Sequence, residues 1–417
     1  MRAVDASFRS LIDPVDPDEF LAHYWEKRYL HLERGQAGLY DHLFSLNDVD
    51  RWILGTKTDD VDGIVMAPPE GSEVSFQRFR TGELPIETAY DAFAKGHSLI
   101  LNRLESTWYP LSPLTETLGE LFSARVGVNA YLTPAGSRAF PVHVDYHDAF
   151  ILQVHGEKVW RLHELEHLPV HQLYYRQDLD IPGLWEKPGS SPLLAEVRLR
   201  PGDLLYIPRG MPHCAAAKDD SSLHLTFSIN TFYWLDLLKI AVEQACFGAP
   251  FLRRALPPRF LARPEIREEM REGFAAAMRD FQEKASFDDA LQVAMRRILR
   301  LQGFPKDGHM AQLLRLGEIR LDSVLEKRPG ILCMVECLPG GNVCKILFAG
   351  RAVQGPVRLR AAMELIRDRD RFRVAELPGL GDESKPVLAR RLVREGLLRL
   401  AGDPVAAETG GVALPVS

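Results

Sequence analysis

The sequence predicts an α+β protein in which a closed barrel of short strands lies between helical segments. Three observations carry this. Between residues 98 and 230, short apolar or alternating runs are broken by Gly and Pro, as in strands joined by turns. On both sides of that stretch, aromatic and aliphatic residues fall at helical spacing. Two segments with metal-ligand side chains, around His143 and ending in His213, lie 213 − 143 = 70 residues apart, a distance that a barrel readily closes.

The chain is organised around residues 140–162, FPVHVDYHDAFILQVHGEKVWRL. In an extended strand His143 and Asp145 point to the same face. Two imidazoles and one carboxylate form a facial triad that leaves open positions on a non-haem Fe(II), and His-x-Asp supplies two of the three. Alone, the pair reads better as a polar edge strand with a surface His. The run then breaks at Gly156 and resumes at Lys158, which predicts a hairpin with Gly at the turn. A second segment, RPGDLLYIPRGMPH at 200–213, joins a turn and a short strand to a loop that ends in His213.

Two further strands have a polar face. In VGVNAYLT, Asn129 and Tyr131 share a parity opposite to Val126, Val128 and Ala130. Such a face either lines a cavity or meets solvent. In LHLTFSIN, His224, Thr226, Ser228 and Asn230 share one face, so Thr226 or Ser228 is placed to bond a ligand and His224 is a rival metal ligand. His147, His155 and His171 read as surface or supporting histidines. Lys158 at a strand start ordinarily extends its ammonium to water.

Composition sets outer limits. The 417 residues suggest two or three domains. Hydrophobic and charged fractions of 46% and 26% are those of an ordinary water-soluble protein. The chain has no transmembrane-length apolar run and no signal-peptide core, which predicts a cytoplasmic location. Lys and Arg number 51 against 57 Asp and Glu, and the net charge of −6 argues against nonspecific nucleic-acid wrapping. Five cysteines do not make a disulfide framework, and Cys333, Cys337 and Cys344 are expected to be buried thiols.

Taken in order, residues 1–97 read as a mostly helical lead-in. Asp16-Pro17 is a cap and first-turn pair, followed by an apolar face of Phe20, Leu21, Tyr24 and Trp25. A short helix after Asn47 carries Val49, Trp52 and Ile53. The barrel is predicted over 98–247, with a helix near 112–122. His163-Glu-Leu-Glu-His167 matches a zinc-protease pattern, but that motif needs a helix, and Pro169 leaves little room for one. Residues 168–195 read as an insertion over the barrel mouth. Helices near 264–285 and 287–302, the second capped by Ser286, belong to a helical region over 248–314. Residues 315–402 form a third unit, with strands ILCMVECL and KILFAG, a helix near 357–367 and one capped by Asp382. Residues 403–417 are expected to be disordered.

NAYLTP (129–134), HVD (143–145), FILQVHGEKVWRL (150–162) and PGDLLYIPRGMPH (201–213) together resemble the JmjC-type, cupin-fold Fe(II)/2-oxoglutarate oxygenases, and among them the ribosomal oxygenases. The resemblance implies a double-stranded β-helix, or jelly-roll, barrel with a helical N-terminal region, a helical dimerisation region and a C-terminal winged-helix domain. It implies that His143, Asp145 and His213 hold Fe(II). It places Lys158 on the distal carboxylate of 2-oxoglutarate, with Asn129, Tyr131 and Thr226 as helpers, and turns the polar face of VGVNAYLT inward. A buried carboxylate needs such a cation. The implied reaction uses O2 and 2-oxoglutarate to hydroxylate an Arg or His side chain of a ribosomal protein. A homodimer and no direct nucleic-acid binding are expected. Two alternatives stand beside it: a non-enzymatic cupin and winged-helix regulator, and zinc hydrolysis at His163 and His167.

Overall fold

The computed structural model describes residues 3–57, 62–69, 72, 76–80, 82–138, 140–164, 191–303, 308–337 and 340–402. They fall into two compact units, one built on residues up to Asn230 and one on Thr231–Ala401.

The first unit opens with α1 (Ala3–Ile12) and α2 (Pro17–His23). Asp16 is extended and accepts the Asp18 N–H at 2.9 Å, capping α2 ahead of its first-turn proline. Phe20 is fully buried, but Leu21 is 38% exposed, so the buried face is narrower than the spacing predicts. Tyr24 and Trp25 lie past the helix end and pack on the core. Next come β1 (Leu30–Leu32), α3 (Leu46–Gly55), β2 (Ile64–Ala67), β3 (Gln77–Phe79), α4 (Ile86–Ala94) and β4 (Ser98–Leu101). Ser45 and Asp48 form a capping box on α3, whose Val49, Trp52 and Ile53 are buried. Residues 1–97 are therefore not mostly helical. They hold three strands, each too short for alternation to reveal it.

The remaining elements of this unit are α5 (Leu104–Thr107), α6 (Ser112–Leu121), β5 (Arg125–Thr133), β6 (Asp148–His155), β7 (Lys158–His163), β8 (Leu193–Leu199), β9 (Leu204–Ile207), β10 (His213–Ala216) and β11 (Ser222–Asn230). The strands build an eight-stranded sheet ordered β1-β9-β6-β11-β5-β4-β2-β3 and a three-stranded sheet ordered β10-β7-β8. The alternation of side chains divides the work of the large sheet. Val126, Val128, Phe150, Leu152, Leu225 and Phe227 pack with helical residues such as Phe8, Phe20 and Leu118 in the main core. On the opposite face Ala149, Ile151, Leu205 and Ile207 meet Trp160, Leu162, Val197 and Leu199 of the small sheet. Each large apolar side chain fully buried in this way contributes roughly 1.5–3 kcal/mol.

The stretch 150–162 is not a hairpin. β6 pairs with β9 and β11 in the large sheet, whereas β7 pairs with β10 and β8 in the small one. The chain passes between the sheets at Gly156, where φ is +62°. A Cβ there would lie 1.8 Å from the Ser221 carbonyl oxygen, so only glycine fits. A glycine between two apolar runs marks the bend; it does not say whether the runs pair with each other.

The second unit begins with α7 (Trp234–Gly248), α8 (Ile266–Lys284) and α9 (Phe287–Leu301). α7 belongs here and not with the barrel, which ends at Asn230. α7 and α9 pack through Ile240, Ala241, Ala290 and Ala294, and Arg297 pairs with Glu243 at 2.9 Å. Ser286 caps α9 by accepting the Asp289 N–H. Then follow α10 (His309–Leu314), β12 (Val324–Lys327), β13 (Cys333–Cys337), β14 (Val343–Phe348), β15 (Arg351–Pro356), α11 (Arg360–Asp368), β16 (Arg371–Arg373), α12 (Ser384–Arg394) and β17 (Leu398–Leu400). The strands form two small antiparallel sheets, β16-β12-β17 and β13-β14-β15, over a core that includes Ile346, Phe348, Met363, Ile366 and Leu392. Residues 231–314 and 315–401 form one compact unit and not two.

Two local expectations fail in this unit. Asp382 does not cap α12; Glu383 holds that position without a side-chain bond, and Asp382 accepts from Lys385 instead. Cys337 and Cys344 are not thiols. They are directly opposite in the β13–β14 register, Cα to Cα 4.3 Å, and form a disulfide. Facing positions of an antiparallel pair bring two Cβ atoms within bonding reach, which spacing alone does not reveal. Among the described residues Cys214, Cys246 and Cys333 are free. Most of the predicted insertion, His167, His171 and the tail 403–417 lie outside the described residues. No described helix is long and apolar enough to cross a membrane.

Candidate active site

Between the two sheets of the first unit lies a cavity of about 230 Å³. Tyr131, Ala149, Ile151, His224 and Thr226 reach it from the large sheet, and Lys158, Trp160, His213 and Ala215 from the small one. Phe140, His143, Asp145 and His147 complete the lining from the segment ahead of β6.

His143, Asp145 and His213 each offer a ligand atom, and these atoms all lie within 4.8 Å of one another. Backbone bonds set this distance. The His143 N–H donates to the His213 carbonyl at 3.0 Å, and the His213 N–H returns a bond to the His143 carbonyl at 2.8 Å. Gly210, at φ +84°, donates its N–H to the Asp145 carbonyl at 2.8 Å. Both rings are oriented alike. Nδ1–H of His143 donates to the Pro141 carbonyl and Nδ1–H of His213 to the Met211 carbonyl, each at 2.9 Å. That tautomer leaves Nε2 with a free lone pair. Nε2 of His213 lies 3.6 Å from Oδ2 of Asp145. Burial pushes the His213 imidazole down to about 4, the neutral form that a metal ligand requires. Burial pushes Asp145 up, but His147, His213 and His143 together hold it below the ordinary carboxylate value.

At the first residue of β7, Lys158 is 3% exposed, and its Nζ donates to Oγ1 of Thr133 at 2.8 Å. It forms no ion pair among the described residues, and burial lowers its pKa to about 7. A desolvated ammonium beside a hydroxyl, opening on a cavity, is a seat for an anion. Thr226 lies in the same lining. Tyr131 stacks on His224 with ring centroids 4.9 Å apart and planes 2° from parallel, and burial raises its phenol to about 12.

Other candidates fall elsewhere. Asn129 does not line the cavity. Its Oδ1 accepts the Arg103 N–H at 3.0 Å, and its side chain bonds Tyr131. His224 is outside the three-ligand cluster, and burial together with the Lys158 charge drives its pKa well below the ordinary imidazole value. Of the histidines read as surface or supporting, His147 is half-buried and lines the cavity, whereas His155 is exposed. His163 is the last residue of a strand, so the zinc-protease pattern has no helix at its first histidine. Sequence reasoning passed over Thr133, Phe140 and Trp160. Thr133 was within reach, since it continues the parity of Asn129 and Tyr131 along β5.

Residues 108–237 match the JmjC domain model. Ribosomal oxygenase 1 of Rattus norvegicus is 32% identical over 272 residues, which cover 61% of this chain and 42% of that protein. The bifunctional lysine-specific demethylase and histidyl-hydroxylase NO66 of Aedes aegypti is 30% identical over 257 residues, 60% of this chain and 39% of its own. The chain thus spans about two-fifths of the length of these relatives. Among solved structures, Escherichia coli YcfD covers 93% of this chain and 98% of its own at a TM-score of 0.55 and 18% identity. A second structure, described as that ribosomal oxygenase with cobalt and 2-oxoglutarate, covers 93% and 99% at a TM-score of 0.54 and 18% identity. At such identity the likeness is one of fold.

Proposed function

We propose that this chain, whose residues 108–237 match the JmjC domain model, is an Fe(II)- and 2-oxoglutarate-dependent protein hydroxylase acting on an Arg or His side chain of a ribosomal protein. One observation carries the reading: a His/Asp/His cluster and a buried ammonium with no ion-pair partner among the described residues open on the same cavity. The donor set fits the metal. Two imidazole Nε2 atoms and one carboxylate suit Fe(II) and leave coordination positions for other ligands. When bound, the iron with O2 and 2-oxoglutarate supplies the oxidising power for hydroxylation, with succinate and CO2 as co-products.

The chain's own part is positioning. His143, Asp145 and His213 hold the metal, and their backbone bridges keep the three donors converged. Lys158 binds the distal carboxylate of 2-oxoglutarate, with Thr133 holding its ammonium and Thr226 a further bonding group. Tyr131 lines the same pocket, and Asn129 acts through it by bonding the phenol. Trp160, Ile151 and Ala149 keep that end dry, which strengthens the charge pair. The names of the relatives, ribosomal oxygenase and histidyl-hydroxylase among them, support a ribosomal protein as substrate.

The second unit is read as a helical dimerisation region and a winged-helix domain. Support for the first is apolar surface on its helical part: Phe247 is 81% exposed, Leu261 84% and Phe274 70%. Support for the second is a three-stranded sheet, β16-β12-β17, combined with α10 and α12. The functional test is incubation of the protein with Fe(II), 2-oxoglutarate and a ribosomal extract. Succinate release with a peptide heavier by one oxygen is expected. Succinate-free incubations with no such peptide overturn the reading.

A further inference from the structure

We infer that Arg209 is a positioning residue that locks the two metal-ligand segments together, an inference that rests on the reading of His143, Asp145 and His213 as metal ligands. Arg209 lies four residues before His213, and its side chain is 4% exposed. Its Nη1 donates to Oδ2 of Asp148 at 3.0 Å and also meets the Glu26 carboxylate. Asp148, three residues after Asp145, has a fully buried side chain, and its Oδ1 accepts the Tyr206 hydroxyl at 2.5 Å. The Tyr206 oxygen in turn accepts the Glu26 N–H at 2.9 Å.

These contacts extend a ladder between the segments 143–148 and 209–213. Two of its rungs are backbone: the reciprocal bonds of His143 with His213, and Gly210 with Asp145. The third is the side-chain pair Asp148–Arg209. Asp145 thus lies between the His143–His213 bonds and the buried pair, and His213 carries the backbone bonds at the far end of the ladder. A buried ion pair is weak as a source of stability, since apolar replacement is often neutral or favourable, but it imposes direction. The guanidinium fixes direction well, being planar and permanently charged. Glu26 is itself held at φ +56°, a backbone conformation that costs a non-glycine residue energy, so the N-terminal segment is shaped to reach this network. No part of it touches the cavity. Its effect passes through the backbone to the separation of Asp145 and His213.

The test is anaerobic Co(II) titration, read in the visible absorbance of the bound ion, beside thermal unfolding of each variant. Arg209→Met alone strands Asp148 in the core, so the main variant is the double Arg209→Met/Asp148→Leu, which removes both charges. It is expected to unfold cooperatively near the parent temperature yet bind Co(II) ~10–100-fold more weakly, the usual effect of losing a group that orients metal ligands. Arg209→Lys, which keeps the charge but loses the planar fork, is expected to fall between the two. If both variants bind Co(II) as the parent does, Arg209 is merely structural and the inference fails. A parent that binds no Co(II) instead overturns the metal reading beneath it.

Discussion

Lys158, which lines the cavity, is joined to Thr133 by a hydrogen bond of 2.8 Å, and the ammonium has no carboxylate beside it among the described residues. Thr133 can hold the ammonium in place but cannot neutralise it. Lys158→Ala therefore removes the partner that a bound 2-oxoglutarate carboxylate would need. Stripping one member of a buried charge pair costs ~3–5 kcal/mol, or roughly two to three and a half decades of affinity. Calorimetry with Co(II)-loaded protein should show that loss while metal affinity is kept. Unchanged 2-oxoglutarate binding would move the anion seat elsewhere.

The same lysine predicts a pH dependence. Its ligand-free pKa is lowered to about 7, so near that pH half the molecules carry the charge. A carboxylate ligand binds the protonated form and raises its pKa. Affinity should therefore be full below pH 7 and decline above it, approaching roughly tenfold per pH unit while the bound form stays protonated. Titrations between pH 6 and 8.5 would show it, and a flat profile would mean that the ammonium does not meet the ligand.

His143→Ala, Asp145→Ala and His213→Ala should each abolish stoichiometric Co(II) binding and succinate formation. His224→Ala should retain the metal, because its ring stacks on Tyr131 outside the cluster. Metal retained by His213→Ala and lost by His224→Ala would exchange their roles.

The double variant His163→Ala/His167→Ala should keep metal content and turnover within about twofold of the parent, since His163 ends a strand and not a helix turn. Metal analysis of the purified protein decides it.

Gly156→Ala should destabilise the first unit, because its Cβ would overlap the Ser221 carbonyl. Overpacking of this kind costs ~1–3 kcal/mol or more, and each kcal/mol lowers the midpoint by roughly 2–4 °C in a unit of this size. A midpoint equal to the parent's would mean that the crossing between sheets yields at small cost.

The site was more legible in the sequence than the fold around it. Side-chain parity along an extended strand is a local property, so His224 with Thr226 could be assigned to one face from their spacing alone, whereas His143 and Asp145 lie ahead of β6 outside any strand and converge through backbone bonds to 210–213. The same rule reached Tyr131 and would have reached Thr133 one step further along β5. Strand pairing is not local, and there the reading failed: β6 and β7 look like a hairpin but enter different sheets. β1, β2 and β3 were missed because three or four residues are too few to show a period. Asn129 shares Tyr131's parity but lies where the Arg103 amide takes its oxygen, a contact between distant segments. The Cys337–Cys344 bond likewise depends on register, which neither cysteine announces.

The two histidines proposed to hold the metal are linked to each other through their own peptide groups, His143 to His213 and back. Those bonds do not depend on what the side chains are. A change of either imidazole to another residue therefore leaves the backbone frame of the cavity and the lysine seat standing. On the proposed reading, catalysis is separable from shape by a single codon, and the inactive form would still capture its target. An engineer gains a trap for finding the natural substrate. A gene duplicate gains a short route from enzyme to receptor.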